Sequence, residues 1–318
     1  MLRFLLALAA LCLPAWAMAA PPLLTPAELN TLIKAGTVRI VDVREADAYA
    51  MQHVPGAVSA PYFSRWRGPA ENPGAVPPLS QLTPLVQELG LTPEEHIVIV
   101  YTGIDSTDFG SAARVYWTLK MLGMKDLSIL NGGLTAWKGA GLPVSNQPAT
   151  VARSHFQPRM DQDMIATQAE VLSKIGKPNV NLIDSRPAPF FTGRIALEAA
   201  RARGTLPGAV NLDSDLYFEL GTAMLMDKAA LEQEADAPSL KPDAETIAFC
   251  NTGHWSATEW FVRSEILGQP HVKLYPGSMV EWTQSAKPLP MMNEPGRLAQ
   301  LRYQFMSWSH RNLGTKAP

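Results

Sequence analysis

The sequence repeats one set of motifs twice, about 145 residues apart. An Asp-x-Arg motif at residues 42–44 returns at residues 184–186, and a Pro-Gly-Ala turn follows each motif. An apolar run rich in β-branched residues comes next in both copies, and a Gly followed by a Trp closes each of them. Because the order is the same and the period is as long as a domain, the sequence predicts a duplicated domain and not a solenoid.

Each copy alternates short apolar runs with amphipathic segments. Residues 40–41, 97–100 and 127–130 are typical of buried strands, and residues 111–122 carry apolar side chains at helical spacing. Strands that alternate with helices predict an α/β fold, in which each domain is a mostly parallel sheet flanked by helices.

The repeat and its flanking sequence divide the chain into five parts. We predict a signal peptide over 1–20, a first domain over 23–144, a linker over 145–163, a second domain over 164–290 and a C-terminal extension over 291–318. The linker is polar and contains prolines, as connecting segments commonly do. The extension is expected to pack on a domain through its apolar side chains, which are Leu298, Leu301, Tyr303, Phe305 and Trp308.

Residues 1–20 have the pattern of an export signal. Arg3 supplies the positive start, residues 4–17 are apolar without a charge, and residues 17–19 offer an Ala-x-Ala cleavage site. Since a spanning helix needs about 20 apolar residues, we predict cleavage, no stable membrane insertion of the mature chain, and a periplasmic or secreted location. A net charge of −2 without a long basic run argues against nucleic acid as a partner.

The chain has two cysteines, Cys12 and Cys250, and the first lies inside the predicted signal. After cleavage, Cys250 would have no partner for an intramolecular disulfide. An unpaired thiol in an oxidising compartment is open to cross-linking and overoxidation. Cys250 is therefore expected to be either buried and inert or present because of its reactivity.

The position of Cys250 favours reactivity. It follows a predicted buried strand over 246–249, and a helix is predicted to start near Ser256. Backbone N–H groups and the positive end of a helix favour an anion at such a junction, so they favour the thiolate form of the cysteine. Gly253 allows the loop to turn tightly around the sulfur.

In these motifs the sequence resembles the tandem-domain rhodaneses. The resemblance rests on the Asp-x-Arg strands, the Pro-Gly-Ala turns, the Cys250 loop and the Gly-then-Trp closures, and it covers about residues 23–290. It implies two rhodanese-like domains, the second of them catalytic, and a sulfurtransferase activity. A small sulfur-containing anion such as thiosulfate, with 3-mercaptopyruvate as the second choice, would load a persulfide on the cysteine. Cyanide or a thiol would then accept the sulfur.

The resemblance implies that Cys250 is the nucleophile and sulfur carrier. The backbone amides of residues 251–256 are expected to hold the leaving group or the persulfide anion, and Arg186 is expected to hold an anionic donor. The alternative for Arg186 is a structural ion pair with Asp184 or another acidic residue. The predicted substrate-binding residues are Arg186, Asn251, Thr252, Gly253, His254, Trp255 and Ser256.

The Cys loop, defined as residues 250–256, departs from two well-known patterns of the family. Members that use thiosulfate carry Arg and Lys in this loop, and members that use mercaptopyruvate carry Gly and Ser, whereas neither pair is present here. His254 is the candidate for a cation or a hydrogen bond near the donor, with a solvent-facing histidine of no role as the alternative. Trp255 is expected either to wall the pocket or to pack between the domains.

The first copy has no cysteine in the matching loop. Alignment from the strand sets Tyr101 opposite Cys250, and alignment back from the helix sets Asp105 there. We therefore expect the first domain to be non-catalytic and to wall one side of the site. The carboxylates of Asp105 and Asp108 should face away from the pocket, because they would repel an anionic substrate.

Other functions fit the sequence less well. A phosphatase-like C-x5-R loop needs an arginine where Ser256 stands, and no nucleophile–base–orienter set can be assigned for a cysteine hydrolase. Neither a metal site nor a cofactor is predicted, because their sequence motifs are missing. A non-enzymatic persulfide carrier or sulfur-binding module, which would deliver sulfur to a partner protein, stays as the alternative function.

Overall fold

The computed structural model describes residues 20–296, together with residues 298, 299 and 303. The predicted signal peptide, apart from Ala20, lies outside these residues. The described residues form two α/β domains, each with one parallel sheet and helices packed beside it. The predicted fold class is therefore confirmed. Within the described ranges, none of the helices combines the length and the apolar character that a membrane span requires.

The N-terminal domain is built on a five-stranded sheet. Its strands are β1 (Leu23–Leu24), β2 (Val38–Asp42), β3 (Val58–Ser59), β4 (His96–Val100) and β5 (Leu127–Leu130). The spatial order is β1-β5-β4-β2-β3, and all neighbouring strands are parallel. Its helices are α1 (Pro26–Ala35), α2 (Ala46–Met51), α3 (Tyr62–Arg65), α4 (Leu79–Glu88), α5 (Ser106–Met121) and α6 (Gly133–Gly139).

The C-terminal domain has a four-stranded sheet. Its strands are β6 (Val180–Asp184), β7 (Val210–Asn211), β8 (Glu245–Phe249) and β9 (Val272–Leu274). Their order is β7-β6-β8-β9, again with parallel neighbours. Its helices are α7 (Gln168–Lys174), α8 (Ala188–Phe191), α9 (Lys228–Ala235), α10 (Trp255–Trp260) and α11 (Ser278–Thr283). Short 3-10 turns lie at Gln162–Met164 and Ser214–Tyr217, and the π-helical segment Phe261–Ile266 continues α10.

The two sheets have the same register between their central strands at the carboxyl edge. In the C-terminal sheet Asp184 of β6 pairs with Phe249 of β8, and in the N-terminal sheet Asp42 of β2 pairs with Val100 of β4. Parallel strands that end level with each other release their following loops at the same edge of the sheet. Ligand sites in parallel α/β sheets lie beyond this carboxyl edge.

Helix α5 joins the two domains. It begins five residues earlier than the periodicity alone predicts, because the Asp105 side chain caps it by accepting a hydrogen bond from the Asp108 N–H at 2.8 Å. Phe109 on α5 packs edge-on against Phe218 and Phe261 of the C-terminal domain. A single apolar cluster continues across this contact, so the domains share a buried core and their relative position is fixed by packing.

The predicted extension is only partly described. Met292 forms a β-bridge with Thr205 of the C-terminal domain, and the Arg203 guanidinium lies over the Tyr303 ring at 5.4 Å. Leu298 is exposed, so the expectation that this side chain packs on a domain is wrong. The other apolar side chains expected to pack there lie outside the described residues, namely Leu301, Phe305 and Trp308.

Candidate active site

Cys250 lies at the carboxyl end of β8, an inner strand of the C-terminal sheet. It is a free cysteine whose residue is 0% exposed. The neighbouring β6 ends level with it, and the Ser185 N–H continues the ladder by donating to the Phe249 carbonyl at 2.9 Å. The thiol therefore stands at the sheet edge where ligands bind in this class of fold.

The first turn of α11 holds the start of the Cys loop. The N–H groups of Met279 and Val280 donate to the carbonyl oxygens of Cys250 and Asn251 at 3.1 and 3.0 Å. In the N-terminal domain, α6 holds the loop that follows β4 in the same way. The backbone framework of the site is thus a duplicated feature of the fold, and the cysteine is present in one copy of it.

Ser278 is a residue of the site that sequence reasoning missed. Its hydroxyl oxygen accepts the N–H of Cys250 at 3.0 Å and the N–H of Gly253 at 3.2 Å, while its hydroxyl donates to the Tyr275 carbonyl. Ser278 is a buried non-glycine residue with φ of 51°, in the left-handed region. Its counterpart in the first copy is Gly133, with φ of 56°. In the second copy the backbone at Ser278 is therefore strained, and its hydroxyl holds the turn between Cys250 and Gly253 at both ends.

One donor of the Cys loop contacts the Cys250 sulfur. The Ser256 hydroxyl donates to Sγ at 3.4 Å, and Ser256 itself is buried at the start of α10. Gly253 adopts φ of 67°, the conformation that a tight turn requires, but its N–H is taken by Ser278. The loop N–H groups that donate to no group of the described chain are those of Asn251, Thr252, His254, Trp255 and Ser256.

A cavity of about 230 Å³ opens at Cys250, at the boundary between the domains. Phe63, Arg67 and Thr107 line it from the N-terminal domain. Its C-terminal lining consists of Leu197, Cys250, Asn251, Thr252, His254 and Trp255. Cys250 is thus buried yet is one of the residues that line a cavity, unlike a cysteine sealed in apolar packing. A second cavity, of about 490 Å³, lies at the opposite end of the C-terminal sheet, and neither cysteine nor histidine lines it.

Arg186 forms the structural ion pair with Asp184 that the sequence analysis gave as the alternative to donor binding. Its Nη2 and Nε atoms donate to the two Asp184 carboxylate oxygens at 2.6 and 2.8 Å, and the residue is 3% exposed. Its remaining donors reach the Gly204 carbonyl and the Asn251 side-chain oxygen. The pair of Arg44 and Asp42 repeats this arrangement in the copy without a cysteine. We conclude that Arg186 braces the strand end and, through Asn251, the Cys loop.

His254 is a neutral residue that hydrogen-bonds to the N-terminal domain. Its Nε2 donates to the Thr107 carbonyl at 2.6 Å, which leaves Nδ1 to accept from the Tyr62 hydroxyl at 3.0 Å. Burial lowers the pKa of His254 to about 4, and the positive charges of Arg67 and Arg114 contribute to the lowering. The ring is therefore neutral at neutral pH. His254 is not the cation that the sequence suggested, and it is not a histidine without a role.

The cation that lines the cavity is Arg67, which comes from the other domain. One guanidinium nitrogen, Nη1, donates to the Tyr62 hydroxyl at 2.7 Å and to the Thr252 carbonyl at 3.0 Å. The Nε and Nη2 atoms donate to no residue within the described ranges. Arg67 thus bridges the domains with one nitrogen and keeps two donors for an anion in the cavity.

The remaining residues of the Cys loop have separate roles. The Asn251 side chain is buried against Arg186, and Thr252 meets Arg67 through its carbonyl. Trp255 lines the cavity, its indole N–H donates to the Thr107 hydroxyl at 3.2 Å, and its ring packs edge-on against Phe190. Trp255 therefore walls the pocket and also contacts the other domain, so the two expectations for it hold together.

The corresponding loop of the N-terminal domain is filled differently. Tyr101 directly follows β4, as Cys250 directly follows β8, and it is fully buried with its hydroxyl donating to the Ala223 carbonyl at 2.6 Å. Asp105 caps α5, and Asp108 accepts the N–H groups of residues 103 and 104. Neither carboxylate lines the cavity at Cys250.

Comparison with known proteins agrees with this geometry. The family model described as a Rhodanese-like domain matches residues 25–140 and again residues 167–285. The thiosulfate sulfurtransferase of Azotobacter vinelandii is 30% identical over 262 residues, which cover 82% of this chain and 94% of the relative. The thiosulfate sulfurtransferase of Gallus gallus is 27% identical over 283 residues, covering 82% of this chain and 92% of the relative.

Solved structures show the same fold. SseA from Escherichia coli, a 3-mercaptopyruvate sulfotransferase, superimposes with a TM-score of 0.71 at 24% identity, covering 81% of this chain and 99% of its own. The anaerobic ergothioneine biosynthesis enzyme from Chlorobium limicola gives a TM-score of 0.75 at 20% identity, covering 86% of this chain and 71% of its own. At these identities the likeness concerns the fold.

The chain belongs to the rhodanese family, since the family model matches both domains and relatives align over most of their length. The protein is a sulfurtransferase, an enzyme that moves sulfur from a donor to an acceptor. This confirms the family and the activity that the repeated motifs and the Cys250 loop implied.

Proposed function

We propose that Cys250 carries the transferred sulfur as a persulfide. The observation that supports this role most directly is the position of Cys250, which lines the inter-domain cavity in a loop whose N–H groups at residues 251, 252 and 254–256 donate to no group of the described chain. These donors suit an anionic sulfur, whether it is the thiolate or the persulfide. Cys250 is also the free cysteine of the described residues, so the site offers no second thiol for an intramolecular disulfide.

The proposed reaction has two half-reactions. The Cys250 thiolate attacks the outer sulfur of a thiosulfate dianion, a new S–S bond forms, and the old S–S bond breaks with its electron pair leaving on sulfite. Charge balances, because a persulfide anion and a sulfite dianion replace a thiolate and a thiosulfate dianion. Cyanide or a thiolate then attacks the terminal sulfur and regenerates the Cys250 thiolate. No external oxidant or reductant is needed.

Arg67 is the residue that we propose for holding the donor anion. It lines the cavity with two unpaired guanidinium donors, in a geometry suited to a bidentate oxyanion. Thiosulfate is the preferred donor, as the names of the relatives suggest, and 3-mercaptopyruvate is the second candidate because it too is an anion. The cation missing from the Cys loop is thus supplied across the domain boundary.

Steady-state turnover of thiosulfate and cyanide tests the enzyme against the carrier. We expect thiocyanate production with a ping-pong pattern, abolished in Cys250→Ser. Persulfide loading without turnover would instead support the non-enzymatic carrier, in which a partner protein removes the sulfur. Turnover that survives in Cys250→Ser would contradict the persulfide mechanism altogether.

The role of Arg67 is tested by Arg67→Gln. We expect the KM for thiosulfate to rise by about tenfold or more with a smaller change in kcat, because a charge-assisted hydrogen bond to the bound donor is lost. Arg65→Gln is the matched control, since Arg65 pairs with Glu88 at the surface at 2.8 Å and does not line the cavity. An unchanged KM in Arg67→Gln would exclude it as the donor-binding cation.

We also propose that the protein acts in the periplasm or outside the cell after removal of residues 1–20. This rests on the charge and apolar pattern of that segment and on its Ala-x-Ala site. Fractionation of expressing cells, followed by the intact mass of the protein, tests it. Mature protein starting near Pro21 in the exported fraction is expected, and full-length protein confined to the cytoplasm would contradict it.

A further inference from the structure

Arg114 is a buried cation that the proposed reaction does not yet use. It lies on α5 of the N-terminal domain and is 0% exposed. Its Nη1 donates to the Gly253 carbonyl at 3.0 Å, its Nη2 donates to the Gly74 carbonyl at 2.9 Å, and its guanidinium lies 5.0 Å from the Trp117 ring. No carboxylate of the described chain forms a salt bridge with it.

A guanidinium without a counter-ion is expensive to bury. Carbonyl dipoles and an aromatic face replace part of its lost hydration, but a buried charge without a counter-ion remains unfavourable. Burial, together with the positive charge of Arg67, lowers the pKa of Arg114 to about 10, whereas negative charge on Tyr62 or Cys250 acts to raise it. The environment of Arg114 therefore favours an anion nearby.

Cys250 is the group of the neighbouring loop that can carry this negative charge. Burial raises the pKa of Tyr62, so its hydroxyl stays protonated. His254 is neutral, Arg67 is a second cation, and Arg186 is matched by Asp184. The thiolate or persulfide of Cys250 is left as the partner whose charge compensates Arg114.

A chain of hydrogen bonds connects the two residues. Arg114 binds the Gly253 carbonyl, the Gly253 N–H binds the Ser278 hydroxyl oxygen, and the same oxygen binds the Cys250 N–H. A Cβ atom at Gly253 would collide with the Arg114 guanidinium and with the Pro276 carbonyl, so this glycine is needed for the close approach as well as for its φ. The guanidinium thus packs directly against the loop that carries the sulfur.

We infer that Arg114 is a positioning residue that supplies the counter-charge for the anionic sulfur of Cys250 from the opposite domain. This inference rests on the proposed function, in which Cys250 is the sulfur carrier. It gives the N-terminal domain an electrostatic task beyond walling the pocket. A charge in a buried, low-dielectric environment acts on a nearby anion more strongly than a solvated charge would.

The test is the pH profile of Cys250 alkylation by iodoacetamide, a neutral reagent, in the full chain. In Arg114→Met we expect the profile to move to higher pH, with alkylation about tenfold slower at pH 7 and the same plateau at high pH. Arg114→Lys keeps the charge and should stay close to wild type. Equal midpoints in wild type and Arg114→Met would overturn the inference, because a purely structural residue would change the plateau and leave the midpoint in place.

A second measurement covers the case in which Arg114→Met does not fold. If Arg114 stabilises the thiolate, the folded protein releases the thiol proton more readily than the unfolded chain does. Stability from this source is then present at high pH and lost as pH falls. The Tm advantage of wild type over Cys250→Ser should therefore widen from pH 6 to pH 9. A constant difference would overturn the inference. Loading of wild type by thiosulfate tests the proposed function separately.

Discussion

The hydroxyl of Ser278 gives the sharpest test of how the fold prepares the Cys loop. Replacing Ser278 by Ala removes the acceptor for two buried N–H groups, those of Cys250 and Gly253, and the donor to Tyr275. The left-handed backbone at this position, with φ of 51°, is retained in the Ala variant. Comparing Ser278→Ala with Ser278→Gly therefore separates the effect of the lost hydrogen bonds from the effect of backbone strain.

The magnitude follows from the number of groups left unsatisfied. A buried donor without a partner costs about 1–3 kcal/mol, so two of them cost about 2–6 kcal/mol, and relaxation of the loop favours the lower half of that range. Gly at position 278 loses the same bonds but relieves the strained conformation, which costs roughly 1–2 kcal/mol in a residue with a Cβ. Ser278→Gly should accordingly be more stable than Ser278→Ala by about 1 kcal/mol.

Equilibrium unfolding in urea measures both differences, and stopped-flow loading with thiosulfate measures the effect on the site. We expect both variants to be less stable than wild type and to load sulfur more slowly, because the Cys loop has lost its internal brace. A Ser278→Ala protein within about 0.5 kcal/mol of wild type would refute the role of the hydroxyl. Equal stability of the Ala and Gly variants would refute the proposed backbone strain at position 278.

Three further predictions concern the surroundings of the site. The pKa of His254 is about 4 in the folded state and about 6.5 in an unfolded chain. The free energy of unfolding should therefore rise by about 1–3 kcal/mol from pH 4 to pH 6.5 and level off above. His254→Gln should lack this rise in pH-dependent urea unfolding, and an identical rise would contradict the assignment. Asp105→Ala should cost about 0.5–2 kcal/mol in the same assay through loss of the α5 cap, with sulfur loading unchanged; slower loading would mean that this carboxylate serves the site. Gly253→Ala should abolish loading, since its Cβ would displace Arg114, and wild-type rates would disprove that close approach.

Much of the fold could be predicted because its signals are local. Apolar runs at residues 97–100 and 127–130 fall inside β4 and β5, and the duplicated motifs made the second domain as visible as the first. The placement of Cys250 followed from the end of the strand before it. Each of these inferences needs a stretch of only a few residues.

The charges of the site could not be predicted in this way. Arg67 contacts the Cys loop from 185 residues away in sequence, and Arg114 does so from 139 residues away. Their positions depend on how the two domains pack against each other, which no periodicity reveals. The loop looked poor in cations because its cations belong to the other copy. His254 seemed to be the substitute, but burial between two arginines keeps it neutral.

Ser278 was hidden by a different cause, although the repeat contains a signal for it. The closing motif reads Gly132-Gly133 in the first copy and Gly277-Ser278 in the second. A glycine at the second position indicates a left-handed backbone there, and the structure has that conformation at both Gly133 and Ser278. A residue-by-residue comparison of the copies therefore predicts that Ser278 has a left-handed backbone, which is unusual for a residue with a side chain.

The intact mass of the protein tests most directly whether Cys250 carries the transferred sulfur as a persulfide. After exposure to thiosulfate and removal of small molecules, wild type should gain the mass of one sulfur atom, cyanide should reverse the gain, and Cys250→Ser should show none. No gain in wild type, or an equal gain in Cys250→Ser, would contradict the account.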